Sequence, residues 1–400
     1  MKSQTITLVL LLLLVFTNTI SASDTAVDGI YYNFDDATLT AKVTYRGAED
    51  DWMYDSTGDL AYVGHLVIPA SVTYNGKVYT VVGLDTDALI NSKKLLTLSL
   101  PATVTSIGTG VFTLCNALQS ITVDDANPAL LSYDGLLYYR GNPLTLGVVP
   151  RGKTGTLELP DGLVEIPSGK FQKSSIESVI IPNSVTTIKD GAFCECKLLV
   201  DITIGNQVHT IERSAFMNDT ALQVVQLPAS MRTIGASAFL GCFNLTYLTI
   251  KEGLTTIKGS AFSGCSSLCG IYLPSTLGSI GNMAFYNCFN LATVMNNSTL
   301  DIQLGSATHG YVAYYATEII RSAARLDQAN SSNAVDAYCT NEGIVVSNFN
   351  HQPLYIYNII GECIYSETGI ASQTKKIPIS KAGIYIVKIG NFSKKLILKK

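Results

Sequence analysis

The chain has 400 residues, with 27 Lys and Arg against 31 Asp and Glu and a net charge of −4. Charged residues make up 14% and apolar residues 47%, where roughly 25% charged is usual for a soluble domain. This composition excludes disorder over most of the chain, and the acidic balance argues against nucleic acid as a partner.

At the amino end Lys2 is the only charge before Asp24, and Ile6 to Phe16 is apolar apart from Thr7. Ser21, Ala22 and Ser23 follow. A basic start, a short apolar stretch and small residues predict a secretory signal peptide over 1–23. The apolar run is shorter than the roughly 20 residues that cross a bilayer, so the mature protein is expected to have no integral membrane span; an uncleaved anchor is the other reading. Residues 24–64 lack the period found further on. Tyr31 to Phe34 and Leu39 to Tyr45 alternate like strands and predict an N-terminal β cap, with Trp52 in or near it.

Residues 65–295 repeat. Phe193, Phe216, Phe239, Phe262 and Phe285 recur every 23 residues, each preceded by Ala, with Ile five before and Leu six after. Cys115, Cys196, Cys242, Cys265 and Cys288 lie three after the repeat Phe. Leu245-x-x-Leu248-x-Ile250 reads as a turn entering a short strand, and Ala261-Phe262 as a helical or irregular return. One such unit cannot bury enough apolar surface to offset ordering its own backbone, so neighbours must stack, as in solenoids. The repeat resembles the BspA-like leucine-rich repeat family of bacterial surface proteins. That resemblance implies a leucine-rich-repeat solenoid and a role in adhesion to host proteins, other cells or glycans. Phe112 and Phe171 are 59 residues apart, two units plus 13. The excess, at about 124–156, reads as a β-hairpin leaving the coil, either a neutral insertion or a binding loop.

Residues 296–343 are expected to form a C-terminal cap and linker, with Tyr311 to Tyr315 as the last strand. Residues 344–400 read as a small β-sandwich. Its strands are Leu354 to Ile360, Gly383 to Ile389 and Lys394 to Leu398, with a turn at Gly390-Asn391. From 351 onward there are eight Lys and two Glu, so this end is locally basic. Tyr357-Asn358-Ile359-Ile360-Gly361-Glu362, Gly383 to Lys388 and Lys399-Lys400 resemble the carboxyl-terminal sorting domain of the Bacteroidetes type IX secretion system. The resemblance implies recognition by that machinery, export across the outer membrane, removal of the tail, and release or attachment at an outer-membrane-associated cell surface. An ordinary β-sandwich binding module is the alternative.

No residue set predicts catalysis, a cofactor or a metal. The four His are scattered, no nucleophile, phosphate or zinc motif occurs, and the periodic Cys read as inward apolar side chains, although an oxidising compartment leaves disulfides open. What remains is surface. Alternation along each strand points Ser178/Ile180, Asp201/Thr203, Val224/Gln226, Tyr247/Thr249 and Gly270/Tyr272 outward. Among these, Asp201, Thr203, Gln226, Tyr247, Thr249 and Tyr272 are the candidate ligand-binding residues. The expected function is a secreted, adhesin-like interaction protein whose partner is an extracellular protein or glycan. A surface glycan-processing enzyme built at Asp124-Asp125, or a passive surface or matrix component, is the alternative.

Overall fold

A computed structural model describes residues 26–45 and 61–321, and in the tail 336–340, 343–347, 354–358, 363–367, 374–379, 381, 383–389 and 392–398. The signal segment, Trp52, the fourth His (His351), the Gly390-Asn391 pair and the terminal Lys pair lie outside the described residues. The chain winds as a leucine-rich-repeat β-solenoid, and no α-helix occurs among the described residues.

Each coil has three faces. On the first, Thr154–Glu158, Ser175–Ile180, Asp201–Thr203, Val224–Gln226 and Tyr247–Thr249 form a parallel sheet. The stack continues through Gly270–Leu273, Thr293–Asn296 and Glu318–Arg321. The second face carries two-residue strands from Glu165–Ile166 to Ser279–Ile280, paired Ile on Ile. The strand-and-return reading missed this second sheet. Its signal was present as the Thr-Ile or Ser-Ile pair five or six residues before each Phe.

The third face is the return, and it is a ladder of turns. The Phe193 N–H donates to the Ala215 carbonyl and the Phe216 N–H to Ala238, each at 2.8 Å; Phe239 to Ala261 and Phe262 to Ala284 follow at 2.7 Å. The turn geometry places the residues two before and two after each Phe at positive φ, as in Ser237 (56°) and Gly241 (74°) around Phe239. Gly and Asn suit these positions because they tolerate the left-handed region, while Ser214, Ser237, Ser260, Lys173 and Glu195 hold it by the ladder's own geometry. Met283 at 56° is likewise a residue without that advantage.

The Phe rings form one internal column. Centroids from Phe171 through Phe285 are 4.7–5.3 Å apart with interplanar angles of 15° or less. That spacing matches the roughly 4.8 Å between paired strands, so every added coil adds one stacked ring. All five rings from Phe193 to Phe285 are fully buried.

Two expectations are corrected. The hairpin at 124–156 does not leave the coil. Leu130–Tyr133, Leu136–Tyr139 and Thr145–Val148 form a three-stranded antiparallel sheet inside the stack. Leu136 and Tyr138 pack into the core of the later coils, whereas Leu137 packs into the core of the earlier ones. Both faces of the middle strand are buried because it lies between two apolar ends that each need covering. Secondly, Tyr311 to Tyr315 is not a strand. Residues His309–Tyr311 form a 3₁₀ turn, and the Gly310 carbonyl accepts from the Phe285 N–H at 2.7 Å as the final rung of the return ladder. Glu318–Arg321 is the last strand of the solenoid.

At the start, Ala26–Val27, Ile30–Asp35 and Thr40–Thr44 join Lys77–Leu84 in one sheet, so the amino-terminal strands cover the first coil edge-on. In the tail, two sheets of three and four strands face each other across Ile344, Val346, Leu354, Ile356, Val387 and Ile389.

Candidate functional site

The first-face sheet sets the candidate site. Its register aligns Ser178, Asp201, Val224 and Tyr247 in one outward column. In the second column Ile180 pairs with Thr203 and Gln226 with Thr249. Between the columns run the inward residues Val179, Ile202, Val225 and Leu248, all buried. Asp201, Thr203, Gln226 and Tyr247 are exposed and Thr249 is half-buried. Five of the six sequence-predicted residues therefore share one solvent-facing ribbon.

Tyr272 does not share it. It is buried, at 5% exposure, although its backbone position follows Thr249 in the column. Its hydroxyl donates to Glu252 Oε1 at 2.6 Å and accepts from Asn297 Nδ2 at 3.1 Å. Burial, with the Glu252 carboxylate beside it, pushes its pKa up to about 12. The cause is the tail. Ile386 and Tyr357 pack against Tyr272, Met295 and Ile320, and Lys388 forms an ion pair with Glu318. The sequence carried a signal for this: the outward column is polar at Thr203, Gln226 and Thr249, then turns apolar at Tyr272, Met295 and Ile320.

The periodic cysteines have a second task besides filling volume. Cys196 Sγ donates to the Phe171 carbonyl at 2.9 Å, Cys242 to Phe216 at 3.1 Å, and Cys265 to Phe239 and Cys288 to Phe262 at 3.2 Å each. Each thiol thus caps a carbonyl of the preceding coil, and these thiols are free. Burial raises their pKa values, to about 12 for Cys288, which holds them as weak donors and away from thiolate chemistry. Asp219 takes the Cys place in one coil. Its Oδ1 accepts from the Cys196 N–H at 2.8 Å, whereas Oδ2 has no partner among the described residues. Burial pushes its pKa up to about 9, so the carboxyl is protonated at neutral pH.

A catalytic pair at the insertion finds no geometric support. Asp124 Oδ1 accepts from the Ala126 N–H at 2.9 Å as a local turn, and Asp134 is ion-paired to Lys153 at 2.6 Å. The adjoining cavity, of about 490 Å³, is lined by no carboxylate. His65 and His209 make single contacts to Thr97 and Thr210. Among the described residues no helix is long and apolar enough to cross a membrane.

These coils define a class: a leucine-rich-repeat solenoid. Residues 79–132 and 164–292 match the BspA type leucine rich repeat region in six copies. The chain is similar in structure to a leucine rich cell surface protein from Faecalibacterium prausnitzii, at 22% identity over 75% of this chain and 95% of that one, with a TM-score of 0.35. It is similar also to a leucine-rich repeat protein from Bacteroides ovatus (19% identity, 75% and 100% covered, TM-score 0.36). A third is the leucine rich repeat protein of T. pallidum (22% identity, 61% and 90% covered, TM-score 0.30). No curated protein matches the chain in sequence.

Proposed function

We propose that the chain is a secreted cell-surface interaction protein, adhesin-like, that binds an extracellular protein or glycan through the exposed strand ribbon. The observation that carries this is the in-register array of outward side chains on four successive strands. Such a ribbon is rigid before binding, so little conformational entropy is lost on contact. Asp201, Thr203, Gln226, Thr249 and Tyr247 offer hydrogen-bonding groups beside one aromatic ring, a combination suited to polar partners. Each contact is weak, and dense display on a surface would multiply them.

In this reading residues 344–400 address the chain to the type IX machinery and hence to an outer-membrane-associated surface. The experiment is an array of matrix proteins and glycans probed with the secreted chain, followed by the triple variant Asp201→Ala, Gln226→Ala, Tyr247→Ala. Binding that falls at least about 10-fold supports the ribbon, since a few central residues carry most contact energy; unchanged binding places the ligand elsewhere. For the address, loss of surface display on removing 344–400 is the expected result, and retained display refutes it.

A further inference from the structure

The return ladder is one rung short. In the later coils each return donates its N–H groups to the next: Gly169 to Asp190, Phe171 to Ala192 and Lys173 to Cys194, at 2.8–3.1 Å. In the earlier coils Asp87 and Asn91 donate likewise to Thr109 and Thr113, at 2.9 Å. The inserted sheet then fills the interior between Phe112 and Phe171 but supplies no return. The N–H groups of Gly110, Phe112 and Leu114 consequently find no acceptor among the described residues, and the carbonyls of Ser168, Lys170 and Gln172 no donor. These two rows are equivalent to the rows that meet in every intact pair of coils. Gly110, Phe112 and Leu114 of the one row and Lys170 and Gln172 of the other line the 490 Å³ cavity, together with Leu118, Tyr139 and Gly147 to Arg151. The aromatic column starts only at Phe171, on the far side.

We propose that this slot is a binding site for an acidic peptide segment of a partner protein, which enters as the missing rung. Backbone chemistry argues for peptide. One wall offers only donors and the other only acceptors, a pattern that a main chain satisfies on both sides at once, as in strand addition to an open sheet edge. Charge sets the sign. Arg151, Lys170 and Lys173 line the slot with no Asp or Glu among the lining residues. Among the described residues Arg151 and Lys170 have no ion pair, and Lys173 has one, to Glu195, that is 3.8 Å long. Lys170 is half-buried, and burial lowers its pKa, so an incoming carboxylate would relieve that cost. The volume lies within the roughly 300–1,000 Å³ of ordinary ligand sites. This site is on the return face, so it stands apart from the ribbon reading and does not depend on it.

The test uses the full secreted chain and a synthetic capped peptide, Glu-Asp-Gly-Ala-Phe-Ser-Asp-Glu, which carries the repeat's own Gly-Ala-Phe rung between acids. A second peptide replaces every acid with Lys. Binding is read by fluorescence anisotropy and by amide hydrogen exchange. The acidic peptide should bind, slow exchange at Gly110, Phe112 and Leu114, and lose at least about 10-fold in affinity on Arg151→Glu with Lys170→Glu. The ribbon triple variant should leave this binding unchanged. No binding of the acidic peptide, equal binding of the basic one, or binding without protection of those three amides would each overturn the proposal. Exchange and melting of the charge-reversed variant confirm that it is folded before its affinity is read.

Discussion

The coils from 169 to 295 and those from 64 to 123 obey the same repeat, yet they end differently. In the later block each return meets the next, each ring meets a ring, and Phe193 to Phe285 are fully buried. In the earlier block the last return faces a cavity, and Phe112 is only half-buried. The inserted sheet satisfies the apolar requirement of both blocks but not the hydrogen bonds of the outermost face. Core burial and backbone pairing are thus separable in a solenoid, and the place where they part is where a partner can add chain.

The largest expected contrast comes from the rings. Phe216→Ala in the intact column should cost about 3–5 kcal/mol in urea unfolding, the range for deleting a large buried aromatic. Phe112→Ala should cost about half of that or less, because part of its surface already meets solvent. Equal losses would erase the distinction between the blocks.

Asp219→Cys should come next. It replaces an oxygen without a partner by the thiol that its neighbours use, and the expected gain at pH 8 is about 1–3 kcal/mol. The pH dependence has a definite sign. The folded pKa of about 9 lies above the ordinary 3.8, so between those values the native state holds a proton that the unfolded chain releases. This group's contribution to stability is therefore full below about pH 4, declines as pH rises to 9, and is level above. Asp219→Asn should remove that slope; a slope that persists would assign it to another group.

Tyr138→Phe probes the inserted sheet. The Tyr138 hydroxyl is buried without a partner among the described residues, and burial raises its pKa. Its removal should stabilise by about 1 kcal/mol, read as a rise in Tm. A loss would show that the hydroxyl has a partner in solution. The smallest effect belongs to Met283→Gly. Relief of the left-handed backbone, partly offset by the freedom glycine gains when unfolded, should leave a gain of about 0.5–1 kcal/mol in urea unfolding. A loss would indicate that the Met283 side chain contributes more than its backbone costs.

The solenoid was legible because its cause is periodic. A Phe every 23 residues can only be a column if each coil advances one strand spacing, and Ile and Leu at fixed offsets then fall inside. The ribbon columns followed from alternation alone. Three features were not legible, for physical reasons. The inserted sheet looked like a surface hairpin because Asp134-Gly135 and Gly141-Asn142-Pro143 are turn signals that say nothing about what covers the strands. Yet Leu136-Leu137-Tyr138 is apolar on both alternating faces, the mark of a strand buried on both sides. The short second sheet was hidden because two residues show no alternation. Burial of Tyr272 depends on contacts with Tyr357 and Ile386, some 85 to 114 positions away in the chain; the apolar turn of its column at Tyr272, Met295 and Ile320 marks a covered face but does not say what covers it.

Residue-resolved amide hydrogen exchange on the free chain tests the incomplete ladder most directly. The amides of Gly110, Phe112 and Leu114 should exchange about 10³-fold or more faster than those of Phe193, Phe216 and Phe239, because open backbone groups exchange without unfolding whereas the intact ladder must open first. Equal protection along the whole return face would mean that the rung is already filled by the chain itself, and would contradict the account.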